Sequence, residues 1–236
     1  MTQPDAPMSS LLAELAGEAT QKLEAKRSRQ QDQQEMMRRV HEALERTGQF
    51  FTMFCTHLNA IEPAVQRHYV LDGKACFSDL QWKNGLTSSR KQSLADDAPL
   101  DHVYFQVRLV SPAMVETTRR WEKFDEFKAE VQAYGLKPKI DLEDLWRDRK
   151  SHPMLKVVLE PELLLWIRFQ GDYVQGTIDV TSNNLEGFGK LQGSLSPDVL
   201  QTATLDGIGR YLMGRVNTLP EGFKLERDLS RVLTNS

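Results

Sequence analysis

The sequence predicts an α+β protein: a long N-terminal helix, partly coiled-coil-like, followed by a mostly antiparallel sheet domain with two covering helices. Three observations carry that prediction. A heptad seam runs from Leu12 to Ile61, and eleven of its fifteen positions are apolar. From Val65 onward the apolar period changes to two, punctuated by the turn signals Asp72-Gly73, Asn84-Gly85 and Gly171-Asp172. Each strand-rich block is then followed by a helix-like stretch, at Pro112–Gly135 and at Ser196–Arg215.

The first eight residues hold two prolines and little apolar content, so they are expected to be disordered. Ser9 or Ser10 caps the helix, and the seam proceeds through Leu12, Ala16, Ala19 and Leu23. Its centre is polar: Lys26, Gln30 and Gln33 fall where apolar residues belong. The seam resumes at Met37, Val40 and Leu44, and it ends in the phenylalanine-rich stretch Gln49–Ile61 before Pro63. Gly48 costs roughly 1 kcal/mol inside a helix relative to Ala, which makes it the expected break point. The boundaries read as 1–8 disordered, 9–48 helical arm, 49–220 α+β domain and 221–236 flexible tail.

Arg67–Leu71 and Ala75–Trp82 are short strand candidates around Asp72-Gly73, and Ser88–Pro99 reads as a polar loop. His102–Val110 alternates, with Val103, Phe105, Val107 and Leu109 on one face. Pro112 opens a helix carrying Val115, Trp121, Phe124, Phe127, Val131 and Tyr134, closed by Gly135. Leu136–Pro153 is a charged connector. Leu155–Leu159, Leu163–Phe169, Tyr173–Val180 and Glu186–Leu195 form a meander. Ser196-Pro197-Asp198 starts the last helix, which buries Val199, Leu200, Ala203, Ile208 and Leu212.

A formal net charge of -3 supplies no global positive field for nucleic acid or an anionic membrane, so either would need a local patch. No apolar run reaches a membrane-spanning length, and residues 1–10 lack the pattern of a secretory signal. Cys55 and Cys76 are read as isolated buried thiols, and no C-x-x-C is present. A reducing, cytoplasmic setting is the expectation.

Catalytic signals are weak. Gly187, Gly189 and Gly193 lack a dinucleotide-binding spacing and sit inside a meander, so they mark a bulge or close packing. Glu160, Glu162, Asp172 and Asp179 lie near strand ends without a basic partner at a defined offset. The five histidines share no metal-ligand spacing. No cofactor and no metal is expected.

The expected function is therefore a non-enzymatic interaction or scaffold protein. It self-associates as a homodimer, or docks a partner helix, through Leu12, Ala16, Ala19 and Leu23, and no membrane is involved. The alternative is nucleic-acid association through Arg119, Arg120, Lys123, Arg147, Arg149 and Lys150, where basic residues accompany Trp121 and Trp146. Acidic residues interleave these clusters, and likewise Lys26-Arg27-Ser28-Arg29 and Arg38-Arg39 on the N-terminal helix, a pattern that a solvated, salt-bridged face explains better.

Overall fold

A single α-helix, α1 (Ser10–Ile61), accounts for 52 residues of the computed structural model, which describes residues 10–71, 73, 75–140 and 153–227. At 1.5 Å per residue it is about 78 Å long. No break occurs at Gly48. A Cβ there would meet Val103 Cγ2 at 3.5 Å, an ordinary packing distance. Burial of the flanking Leu44, Thr47 and Phe51 outweighs the weak local propensity.

The strands that follow are β1 (Ala64–Val65), β2 (Tyr69–Leu71), β3 (Ala75–Phe77), β4 (Leu80–Lys91), β5 (Leu100–Val110) and β6 (Val115–Arg120). A 3-10 turn at Trp121–Lys123 leads into α2 (Phe124–Ala133), then β7 (Pro138–Ile140), β8 (Met154–Leu159), β9 (Glu162–Asp172), β10 (Thr177–Asn183) and β11 (Lys190–Leu195). A second 3-10 turn at Pro197–Val199 precedes α3 (Thr202–Leu212), and β12 (Glu226–Arg227) closes the described chain.

The main sheet has seven strands in the order β1-β4-β5-β9-β10-β11-β12, every neighbouring pair antiparallel. It curls into a half-barrel, and the second half of α1 fills its inner face. Val103, Phe105, Val107 and Leu109 of β5 face inward, as do Leu163, Leu165, Ile167 and Phe169 of β9. Phe51 of α1 sits between them, its ring 4.5 Å from that of Phe105 and 5.8 Å from that of Phe169. A β6-β8-β7 sheet extends from one end, covered by α2, with the β2-β3 hairpin beside it. The α+β class and the antiparallel order are as the sequence predicts.

Several elements differ from expectation. Pro112 does not open a helix: Val115–Arg120 is a strand paired with Met154–Leu159. Val115 and Thr117 are buried on alternate positions, so the period there is two, and helical spacing begins only after Trp121. Ser88–Lys91, expected in a loop, extends β4 because its backbone pairs with Leu100–Tyr104 while its polar side chains stay in solvent. The Glu186–Leu195 strand starts only at Lys190. The last helix begins at Thr202 and leaves Ala203 exposed. Cys55 is buried, but Cys76 is exposed on the outer side of β3. Phe223, 2% exposed, packs into the core, and β12 adds to the sheet, so 221–227 belong to the domain instead of a loose tail. Residues 1–8, expected to be disordered, Ser9, a candidate helix cap, and 228–236 of the expected tail lie outside the described residues.

Of the meander glycines, Gly193 serves close packing, Gly189 holds φ at +116°, and Gly187 has open space beside it. A side chain at Gly193 would lie 2.6 Å from the Lys224 carbonyl oxygen, where the chain leading into β12 crosses β11.

Candidate functional site

The two halves of α1 live in different environments. From Val40 to Leu58 the helix buries Val40, Ala43, Leu44, Thr47, Phe51, Cys55 and Leu58. From Glu14 to Glu35 every residue is exposed. That arm projects about 33 Å beyond the domain at 1.5 Å per residue.

The arm's root is firmly held. Met36 lies against Gly176, and Arg39 forms an ion pair with Asp198 beside the 3-10 turn. His41 Nδ1 accepts from the Leu100 backbone N–H at 3.2 Å. Arg46 donates to the Leu200 carbonyl at 3.0 Å. At the far end Asn59 ties the helix to β4: its Oδ1 accepts from Trp82 Nε1 and from Gly85 N–H, each at 2.7 Å, and its Nδ2 donates to the Gly85 carbonyl at 2.8 Å.

Along the arm, Leu15 (51% exposed), Ala16, Ala19 and Leu23 (58% exposed) form an apolar stripe that no described residue covers. The backbone of Leu12 belongs to the same helix, but its side chain lies outside the described residues. The stripe does not simply prolong the docked face. Heptad positions on a straight helix drift about 20° per heptad, so over the four heptads from Ala19 to Thr47 the stripe turns by about 80°. It therefore faces sideways past the domain, not into the sheet.

Charge is sorted around this stripe. In heptad terms Leu12, Ala19 and Lys26 take d, while Ala16 and Leu23 take a. The flanking e and g positions then carry Lys22, Arg27 and Arg29 and no acid. Glu14, Glu18, Glu24, Asp32 and Glu35 occupy b, c and f, on the opposite side. Arg38 is tied to Glu35 and Glu42. Lys22, Lys26, Arg27 and Arg29 form no ion pair among the described residues. The Glu35 carboxyl is held below its usual range by the Arg38 hydrogen bond.

The alternative basic residues do not form one patch among the described residues. Arg119 is half-buried, its guanidinium 4.2 Å from the centre of the Phe127 ring and donating to Thr117 Oγ1 and the Thr118 carbonyl. That geometry makes it a packing residue. Arg120 and Lys123 are exposed, and Trp121 packs on the core. Arg147, Arg149, Lys150 and Trp146 lie outside the described residues.

The strand-end carboxylates are also dispersed. Glu160 pairs with Lys139 at 2.9 Å and Lys137 at 3.5 Å, and the Lys139 hydrogen bond holds its pKa down. Glu162 faces Arg108 at 3.7 Å. Asp172 accepts from Val174 and Gln175 N–H, each at 2.9 Å, and so shapes the turn after β9. Among the described residues no three His, Cys, Asp or Glu side chains gather as a metal site would require. No helix among them is long and apolar enough to cross a membrane.

One surface escaped the sequence reading. On the outer face of β5 and β9, Tyr104 and Trp166 lie with ring centres 5.9 Å apart beside Arg168 and near Leu86, which is 51% exposed. The alternation of β5 does place Tyr104 outward, but the pairing with β9 that brings Trp166 alongside is a long-range fact. No protein-family model, no curated protein and no solved structure matches this chain.

Proposed function

We propose that this is a non-enzymatic interaction protein that docks a helical protein segment on its N-terminal arm, with the half-barrel domain as the anchor. The observation that carries the reading is the stripe Leu15, Ala16, Ala19 and Leu23 on a helix rigidly rooted in the domain yet exposed on all sides from Glu14 to Glu35. Helix nucleation is the costly step, and the docked half of α1 supplies the nucleus from which the arm continues. A pre-ordered helix loses less conformational entropy on binding than a disordered segment. Ala16, Ala19 and Leu23 at a and d positions, flanked by Leu15 at g, form the kind of apolar seam that a partner helix buries.

The test compares the full chain with Leu15→Asp/Leu23→Asp. Both proteins are run in sedimentation velocity and used as bait in affinity capture from the native host. The reading predicts that self-association or named captured proteins present with the native chain are lost with the variant, while the melting temperature is unchanged. Identical behaviour of the two baits would remove the arm as a docking element.

A further inference from the structure

The arm's charge pattern narrows the kind of helix it takes. This step rests on the reading of the arm as a docking element. In a parallel pair of two copies, Lys22 at g faces Arg27 at e of the second copy, and the d-position Lys26 faces its own counterpart. In an antiparallel pair that keeps a and d layers in register, g meets g, so Lys22 faces Lys22 or Arg29 of the second copy, or Leu15 in the one register that sets Leu12 against Leu23. The parallel pair and the Lys22–Lys22 and Lys22–Arg29 registers place like charges at the edges of the apolar contact. The register that avoids this joins only residues 12–23, fewer than two heptads, against the roughly three to four a stable seam needs. The acids that would relieve it, Glu14, Glu18 and Glu24, point away on the b, c and f side.

We propose that the occupant of the arm is a helix of a different protein, apolar along one stripe and carrying Asp or Glu on both flanks. Acidic flanks meet Lys22, Arg27 and Arg29, and an acid at the layer of Lys26 neutralises the cation within the seam. The same cations disfavour a second copy in every register longer than two heptads, so attraction to the partner and rejection of self come from one set of residues. The polar centre at Lys26, Gln30 and Gln33 then acts as a register device. An anionic membrane would also meet the basic flanks, but the stripe is half alanine and the helix carries charge all round, which suits a narrow helix-helix contact better than insertion.

The test uses the full chain and two labelled designed peptides of about four heptads, both with Leu at a and d. One carries Glu at every e and g, the other Lys. Fluorescence anisotropy is read at low and high salt, beside sedimentation of the protein alone and flotation with phosphatidylserine vesicles. The proposal predicts about tenfold or greater preference for the Glu-flanked peptide at low salt, shrinking as salt rises. Lys22→Glu/Arg27→Glu/Arg29→Glu should invert the preference. Leu15→Asp/Leu23→Asp should abolish binding of both peptides, and the native chain should sediment as a monomer. All five positions are exposed on the arm, and a thermal melt confirms that the domain is intact. Equal affinity for both peptides, with loss in the leucine variant, would overturn the acidic partner but leave the arm a docking element. Self-association abolished by the leucine variant would do the same. Binding unaffected by the leucine variant, or vesicle binding without peptide binding, would overturn both.

Discussion

Met36 lies directly over Gly176, in the space that a side chain at residue 176 would occupy. This contact marks where the arm meets the domain. Gly176 also holds φ at +71°, a conformation costly for residues with a Cβ. Gly176→Ala therefore combines backbone strain with a clash against Met36 Cγ and Sδ and should cost about 2–3 kcal/mol in urea denaturation. Met36→Ala in the same chain should recover the steric part and leave the strain, a coupling that a double-mutant cycle measures.

The contrast between the two halves of α1 is itself measurable. Phe51 is fully buried between Phe105 and Phe169, so Phe51→Ala should destabilise by about 3–5 kcal/mol. Leu23→Ala, at an exposed arm position on the same helix, should change stability by no more than about 0.5 kcal/mol. Chemical denaturation of both variants checks the pair.

Asn184 is fully buried with φ of 60° and joins two parts of the fold. Its Nδ2 donates to the Tyr134 and Leu164 carbonyls at 2.7 and 2.8 Å, and its Oδ1 accepts from Gly189 N–H at 3.2 Å. Asn184→Ala strands those buried groups and strains the backbone, for an expected loss of about 3 kcal/mol. Asn184→Gly should be the milder variant, since it removes the strain alone.

Tyr173 gives the fold an alkaline limit. Its hydroxyl donates to the Leu100 carbonyl at 2.6 Å. Burial, with Asp101 and Glu45 nearby, pushes its pKa from the ordinary value of 10.0 up to about 12. The folded chain then holds this proton more tightly than the unfolded chain does. Its stabilising contribution is complete below about pH 10 and is lost as the pH rises towards 12. Urea midpoints measured from pH 8 to 11.5 should be flat and then fall, and Tyr173→Phe should make the fall shallower.

The boundary expected at Gly48 falls instead near Met36, since Val40, Ala43, Leu44 and Thr47 are already buried against the sheet; the thinning of apolar residues between Leu23 and Met37 is the truer signal. The hairpin between β2 and β3 and the turn after β9 follow their sequence signals and the sheet is antiparallel, but Asn84-Gly85 is no turn: it lies inside β4 beside a register shift, paired with Arg108 and Val107. Local signals misled where tertiary pairing decides. Gly48 lies in a helix held by burial on both sides, and Val115–Arg120 is a strand because Met154–Leu159 offers it a partner. Arg119 looked like an available cation from its neighbours in sequence, but Phe127 on α2 stacks against it. Ala16, Ala19 and Leu23 were legible as an apolar seam from local spacing alone, whereas Leu15, one position off the seam, joins the stripe only through its exposure in the structure. The sorted flank charges were equally present in the sequence, but they acquire meaning only once the helix is known to run unbroken through Lys26.

The most direct test of the arm as a docking helix is amide hydrogen exchange on the full chain, alone and with the Glu-flanked peptide. The account predicts intermediate protection over residues 14–35, above that of an unfolded segment, and strong protection over 40–58 in the free protein, with protection of 14–35 rising when the peptide is added. Protection of 14–35 in the free protein equal to that of 40–58, or no change on adding the peptide, would contradict it.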